Sequence, residues 1–306
     1  VKTKMNYGIA LAGILSFCLL IFVYVYWSSA TVEDKAKISV VLEAESSENW
    51  EVLRKGMDTF ARENEVEISY VLLTGKESIW DEMEILRGEL QKGAEGMLLN
   101  LQNKDALTEK INDTLNFTKV VMIESPLSLS FEAGVVAPDN AKMGKNLGEL
   151  VKDTLKAGEQ VGIITGNIDM QCNRDRLAGV KDTLGDRIAF IASTPEGASK
   201  ELWEKTDKIL CLDSQAGELS LDGARPEQLF YVIGRSERLV YELDKGTIDT
   251  LLVADEFVMG YSAMKSLYEQ IRNLGEIKDE EVPYIVVNRS NLYEEENERI
   301  LFPSVQ

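Results

Sequence analysis

Between Val135 and Val180 the chain alternates two kinds of hydrophobic pattern. An apolar run ends in Pro138-Asp139-Asn140. Met143, Leu147, Leu150, Val151 and Leu155 then recur at helical spacing, and Gly158 stops the helix. Gln160 to Thr165 reads as a buried strand closed by Gly166. A polar loop leads into a second helical segment that carries Arg174, Arg176 and Gly179. Strand–helix–strand–helix order predicts a parallel sheet covered by helices. Ligands of such sheets bind beyond the carboxyl ends of the strands. The loops after Ile123, Thr165 and Leu210 are therefore the first places to expect a site.

The same alternation runs on both sides of this stretch. Strands are expected at Lys37–Glu43, Ile68–Leu73, Gly96–Leu101 and Val120–Glu124, with helices near 48–64, 80–92 and 106–115. Further on, strands are expected at Arg187–Ser193, Lys208–Leu212, Leu229–Ile233 and Thr250–Val253, and a last long one at Val282–Val287. Helices fall at 198–206, 237–243 and 256–271, and 215–223 reads as a short or irregular helix. The fold class is α/β: the first half reads as a doubly wound lobe, and the chain beyond the N-terminal segment is large enough for two compact lobes.

Gly8 to Trp27 carries no charge over 20 residues. At roughly 1.5 Å per residue such a helix spans about 30 Å, the thickness of a bilayer core. Lys2 and Lys4 precede it, and Glu33 and Asp34 follow it. Basic flanks stay in the cytoplasm, so everything after Trp27 is expected outside. The run is longer than a usual signal core, which favours a single-pass membrane anchor over residues 8–27. Ser28 and Ala30 would also suit a cleaved signal, and both readings export the body of the chain. Residues 1–30 form this segment.

Composition narrows the function classes. The chain has 33 basic and 52 acidic residues, a net charge of −19, which argues against nucleic-acid partners. It contains no histidine, which removes imidazole bases and His metal sites. Cys172 and Cys211 pair only if the fold brings them together, and no CxxC spacing exists. No GxSxG, P-loop or GxGxxG fingerprint opens a helix, so neither an enzyme nor a cofactor is expected.

From Lys37 onward the chain resembles the type I periplasmic-binding-protein family, in its ribose-binding and lac-repressor-like sugar-binding branch. The carriers are Trp50…Gly56, Gly96–Leu101, Val136-Ala137-Pro138-Asp139-Asn140…Gly144 and Gly166…Arg176-x-x-Gly179. Others are Val232-Ile233-Gly234…Gly246 and Met259-Gly260-Tyr261. The closing Tyr284–Tyr293 and Ile300–Pro303 resemble the ends of membrane-associated sugar-binding proteins of Gram-positive bacteria. The resemblance implies two lobes joined by three hinge crossovers, near Asn140, Ala254-Asp255 and Val286-Val287. It divides the chain into an N-terminal lobe, 37–140 plus 255–285, and a C-terminal lobe, 141–254 plus 286–306. It implies a small polar ligand, a sugar or acidic sugar, held by lobe closure. The closed form would be presented to an ABC permease or a sensor histidine kinase.

The resemblance also nominates site residues. Trp50 matches the family's aromatic position; core packing is its plain alternative. Ser47 and Asn49 precede it and equally suit helix capping. Glu124 stands at a strand end where the family often has Asp, and Ser125 where some relatives carry Arg. Arg176 matches the R-x-x-G arginine, against an exposed helix arginine paired with Asp175 or Asp182. Gln171 and Asn173 share its loop. Three family positions depart: Leu212 replaces Asn with Asp213 following, Ser236 replaces Asp with Arg235 preceding, and Ala254 replaces Gln with Asp255 following. Arg176 and Arg235 together would suit an anionic ligand. The same departures fit a degenerate cleft, in an interaction module that regulates a membrane protein.

Overall fold

A computed structural model describes residues 16–22, 35–43 and 47–303, with backbone alone for 47–49. The chain divides into two units, residues 1–35 and 36–306. In the first, residues 16–22 form helix α1. The rest of the expected span at 8–27 lies outside the described residues. No helix among the described residues is long and apolar enough to cross a membrane.

The second unit opens with β1 (Lys37–Glu43), α2 (Ser47–Glu63), β2 (Glu67–Leu73), α3 (Ile79–Gln91), β3 (Gly96–Asn100), α4 (Asp105–Leu115), β4 (Lys119–Ile123) and β5 (Gly134–Ala137). It continues through α5 (Asn140–Lys152), β6 (Val161–Ile164), α6 (Gln171–Leu184), β7 (Ile188–Ala192), α7 (Lys200–Lys205), β8 (Lys208–Cys211), α8 (Ser214–Asp222), β9 (Leu229–Ile233), α9 (Glu237–Lys245) and β10 (Ile248–Ala254). It closes with α10 (Glu256–Ile271), β11 (Glu280–Glu281), β12 (Tyr284–Asn288) and α11 (Glu295–Leu301).

These strands form two sheets, ordered β11-β5-β4-β3-β1-β2 and β12-β10-β9-β8-β6-β7. Each is a lobe with helices on both faces. In β1, Ile38, Val40 and Leu42 pack with Leu53, Met57 and Phe60 of α2 and Met259 and Leu267 of α10. Val41 points the other way, into the layer of Met83, Leu86, Leu107 and Ile111 from α3 and α4. This is the period-two alternation of a strand buried on both faces. The second lobe repeats it. Met143, Leu147 and Val180 of α5 and α6 cover one face of its sheet, and Leu239 and Leu243 of α9 the other.

Three details differ from the sequence reading. The last strand is two strands, because Pro283 supplies no N–H and breaks the run. β11 stays in the first sheet beside β5, while β12 joins the second sheet, antiparallel to β10. The second sheet is thus mixed rather than wholly parallel, and the third crossover lies at Pro283, not at Val286-Val287. Residues 214–222 form the short helix expected there, and the Asp213 carboxylate caps it by accepting from the Ala216 N–H. Helix α11 has no forerunner in the sequence reading.

The three crossovers are tied together. The Val282 N–H donates to the Ala137 carbonyl at 2.9 Å, and the Asp255 N–H to the Pro283 carbonyl at 3.0 Å. Near the first crossover, α5 and α6 cross at very short range. A Cβ on Gly144 would lie 2.0 Å from the Arg176 carbonyl oxygen, and one on Gly179 2.1 Å from that of Ala141. Only glycine fits either place. The Gly144…Arg176-x-x-Gly179 pattern is thus a helix-crossing device, and it sets Arg176 beside the first crossover.

Candidate functional site

The carboxyl ends of both sheets face one cleft. Each sheet reverses its winding once, between β1 and β3 and between β6 and β8. Loops diverge at such a switch point and leave a crevice. Glu43 and Asn100 stand at the first switch point, and Asn167 and Asp213 at the second; all four line the cleft. Glu124, Arg176, Glu256 and Trp50 complete its polar and aromatic wall. The cavity holds about 200 Å³. That is room for on the order of a dozen waters, or one small polar molecule.

Arg176 sits at the floor, 4% exposed. Its Nε donates to the Asn140 Oδ1 at 2.8 Å, and its guanidinium nitrogens donate to the Asn173 Oδ1 at 3.3 Å and the Leu212 carbonyl at 2.9 Å. The remaining nitrogen meets the Glu124 Oε1 at 2.7 Å. The ion pair joins the two lobes, since Glu124 follows β4 and Arg176 lies on α6. Neither Asp175 nor Asp182 takes this arginine; Asp175 accepts from the Gln171 amide instead. Glu124 holds a left-handed backbone with φ 59°. A glutamate there is strained, and strain of this kind collects at ligand clamps. The Asn140 amide secures it by donating to the Glu124 carbonyl at 3.1 Å.

Further polar contacts cross the cleft. The Asn103 N–H donates to the Asp169 carbonyl at 2.8 Å, and the Asn167 amide to the Glu43 carboxylate at 3.4 Å. The Ser125 hydroxyl accepts from the Gln171 and Cys172 N–H groups at 2.7 and 3.4 Å. Met170, the residue before α6, supplies no side-chain cap of its own. The first lobe therefore caps the second lobe's helix. Ser125→Ala is expected to cost about 1 kcal/mol, the worth of an N-cap. Amide exchange at Gln171 and Cys172 should quicken at the same time. Unchanged exchange there would count against a cross-lobe cap.

The nominated residues divide by position. Trp50, Glu124, Arg176 and Asp213 line the cleft, as does Asn173. Trp50 also meets Tyr70 edge-on at 5.1 Å, so its packing and cleft-lining readings both hold. Ser47 and Asn49 open α2, with side chains outside those described. The others lie apart from the cavity lining. Ser125 is fully buried under α6. Gln171 is held by Asn103, Arg174 and Asp175, outside the cavity lining. Ser236 caps α9. Arg235 lies outside the cleft lining and donates to the Leu301 carbonyl at 3.1 Å. Asp255 caps α10 and accepts from Arg299 of α11 at 2.8 Å, again outside the lining. A helix cap and a ligand carboxylate look alike in sequence, because both follow a strand. Glu43, Asn100, Asn167 and Glu256 were missed; the switch-point rule applied to strand order would have found the first three.

Burial sets the electrostatics. It pushes Glu256 up to about 8, with Glu124 and Asp255 adding to the shift and Arg235 opposing it. It raises Asp213 as well, against the pull of the Ala216 N–H, Asn173 and Arg176. Cys172 and Cys211 are free and buried, and burial pushes each thiol up to about 12. Neither is a thiolate near neutrality, which makes both unreactive packing residues.

Comparison with known proteins returns one domain family. The profile described as periplasmic binding protein domain matches residues 38–277. No curated protein matches the chain by sequence. Among solved structures, GanP, a glucose-galactose binding protein from Geobacillus stearothermophilus, superposes with a TM-score of 0.73 at 18% identity, covering 85% of this chain and 100% of its own. A carbohydrate transporter solute-binding protein from Agrobacterium radiobacter, in complex with D-arabinose, gives 0.77 at 14%, covering 88% and 99%. The XylFII-LytSN complex gives 0.69 at 16%, covering 84% and 98%.

Proposed function

The chain belongs to the periplasmic binding protein domain family, and from that premise we propose that it is an extracytoplasmic solute-binding protein for a small, carbohydrate-like ligand. The ligand lies in the interlobe cleft, and lobe closure creates the surface that a membrane partner reads. One observation carries this reading. The switch points of both sheets open on one cavity, with polar side chains from each lobe and the Trp50 ring on its wall. An aromatic face suits the C–H side of a sugar ring, and carboxylates and amides suit its hydroxyls. The sugars bound by GanP and by the Agrobacterium protein support it. The uncharged segment at 8–27 supports a membrane anchor and an exported body. The partner is an ABC permease or a sensor kinase; a chain of this fold within the XylFII-LytSN complex supports a protein partner.

A thermal-shift screen of pentoses, hexoses and their charged derivatives tests the reading. A true ligand raises the melting temperature once well above its dissociation constant. Trp50→Ala is expected to weaken any hit at least about tenfold, or 1.4 kcal/mol. A hit indifferent to Trp50 would place binding elsewhere. The direct hydrogen bonds between the lobes favour a second reading, an interaction module that signals without a small molecule. Silence across the screen from a folded protein would select it.

A further inference from the structure

We infer that the ligand of this cleft carries a positive charge, as an aminated sugar does. The inference rests on the solute-binding reading and names its ligand class.

Four carboxylates line the cavity, from Glu43, Glu124, Asp213 and Glu256, against one cationic side chain, Arg176. That arginine is spent on Asn140, Asn173, the Leu212 carbonyl and Glu124. Among the described residues no lysine lines the wall. The helix N-termini at the cleft are answered too. Ser125 caps α6, Asp213 caps α8 and Asp255 caps α10.

Two buried side-chain atoms on the wall have no hydrogen-bond partner, the Asn100 Oδ1 and the Glu256 Oε2. The Asn100 Oδ1 is an acceptor on a side chain only 9% exposed, and the Glu256 carboxyl becomes acceptor-only once it gives up its proton. A buried acceptor without a donor is costly, so the site calls for donors. An ammonium brings three donors, no acceptor and the charge that Glu256 lacks. Arg235 acts on Glu256 from outside the cavity lining but forms no ion pair with it, and Glu124 and Asp255 oppose its effect. Burial therefore leaves Glu256 ready to ionise against a cation. The Trp50 ring adds a face that attracts cations. An acidic sugar, expected when Arg176 and Arg235 were paired, meets the opposite charge balance.

Isothermal titration of the full chain at pH 7 with matched hexoses tests this. The probes are D-glucosamine and D-galactosamine, their neutral parents D-glucose and D-galactose, and D-glucuronate and D-galacturonate. At least one amino sugar is expected to bind about tenfold or more tighter than its neutral parent, with no heat from the uronates. Glu256→Gln should cut that preference by about tenfold, or 1.4 kcal/mol. A neutral hexose or a uronate that binds as tightly as the amino sugar overturns the inference and leaves the solute-binding reading standing. Silence from all six overturns it as well. Binding of D-arabinose would then preserve the solute-binding reading, and silence there too would remove it.

Discussion

Arg176→Met is expected to destabilise the protein by about 3 kcal/mol, the lower end of the range for stripping one partner from a buried ion pair, because the Glu124 side chain is 30% exposed. Methionine keeps much of the volume, so the loss is electrostatic rather than a cavity. The Asn140 and Asn173 side-chain oxygens and the Leu212 carbonyl lose their donor, and Glu124 is left without its cation. The damage should fall on the hinge, because Asn140 opens α5 at the first crossover. Urea unfolding measures the loss. Adding Glu124→Gln should recover a part of it, since the uncompensated charge is then gone. A single-variant loss below about 1 kcal/mol would mean that the pair behaves like an exposed one.

The second large effect concerns pH. In the folded chain Glu256 is pushed up to about 8, whereas an unfolded carboxyl titrates near about 4.3. Between those values the folded chain keeps the proton that the unfolded chain has released. Stability contributed by this group is therefore full below the unfolded value and falls as pH rises, until the folded value is passed. Glu82, buried in the first lobe and pushed up to about 7 by burial, acts in the same direction. Glu256→Gln removes the larger share. It is expected to raise stability at pH 8.5 by on the order of 2–4 kcal/mol while changing little at pH 5. Unfolding curves at pH 5, 7 and 8.5 decide it. The Glu82 slope should remain below about pH 7. A variant whose curve runs parallel to the parent's would show that Glu256 is ionised throughout.

Both effects arise where the two lobes meet, and the sequence is least legible there. Local pattern was enough for the elements themselves. The largely apolar, β-branched-rich run Ile38–Leu42 between charged ends reads as a strand buried on both faces, and the spacing of Leu53, Met57 and Phe60 reads as one face of a helix. Proline and glycine mark the stops, although the break at Pro283 was read as one strand because the residues on both sides are apolar. The family pattern brought Trp50, Glu124, Arg176 and Asp213 to notice. It did not separate carboxylates that face the cleft from those that cap helices. Asp213 does both, and Asp255 caps α10 and pairs with Arg299 outside the cleft lining.

By itself the sequence determined the α/β alternation, the acidic character and the absence of imidazole chemistry, while the crossover near Asn140 came from the family resemblance. The first three follow from hydrophobic period and composition, which act over a few residues or over the whole chain. Only the tertiary structure decided what Arg176 does with its charge. Its partner Glu124 lies 52 positions away, and the glycines that let α5 and α6 cross bring the two together. It also decided that Glu256 and Asn100 each present a side-chain oxygen without a hydrogen-bond partner to the cavity. Burial and the identity of the nearest partner are properties of packing between lobes, and no local pattern encodes them.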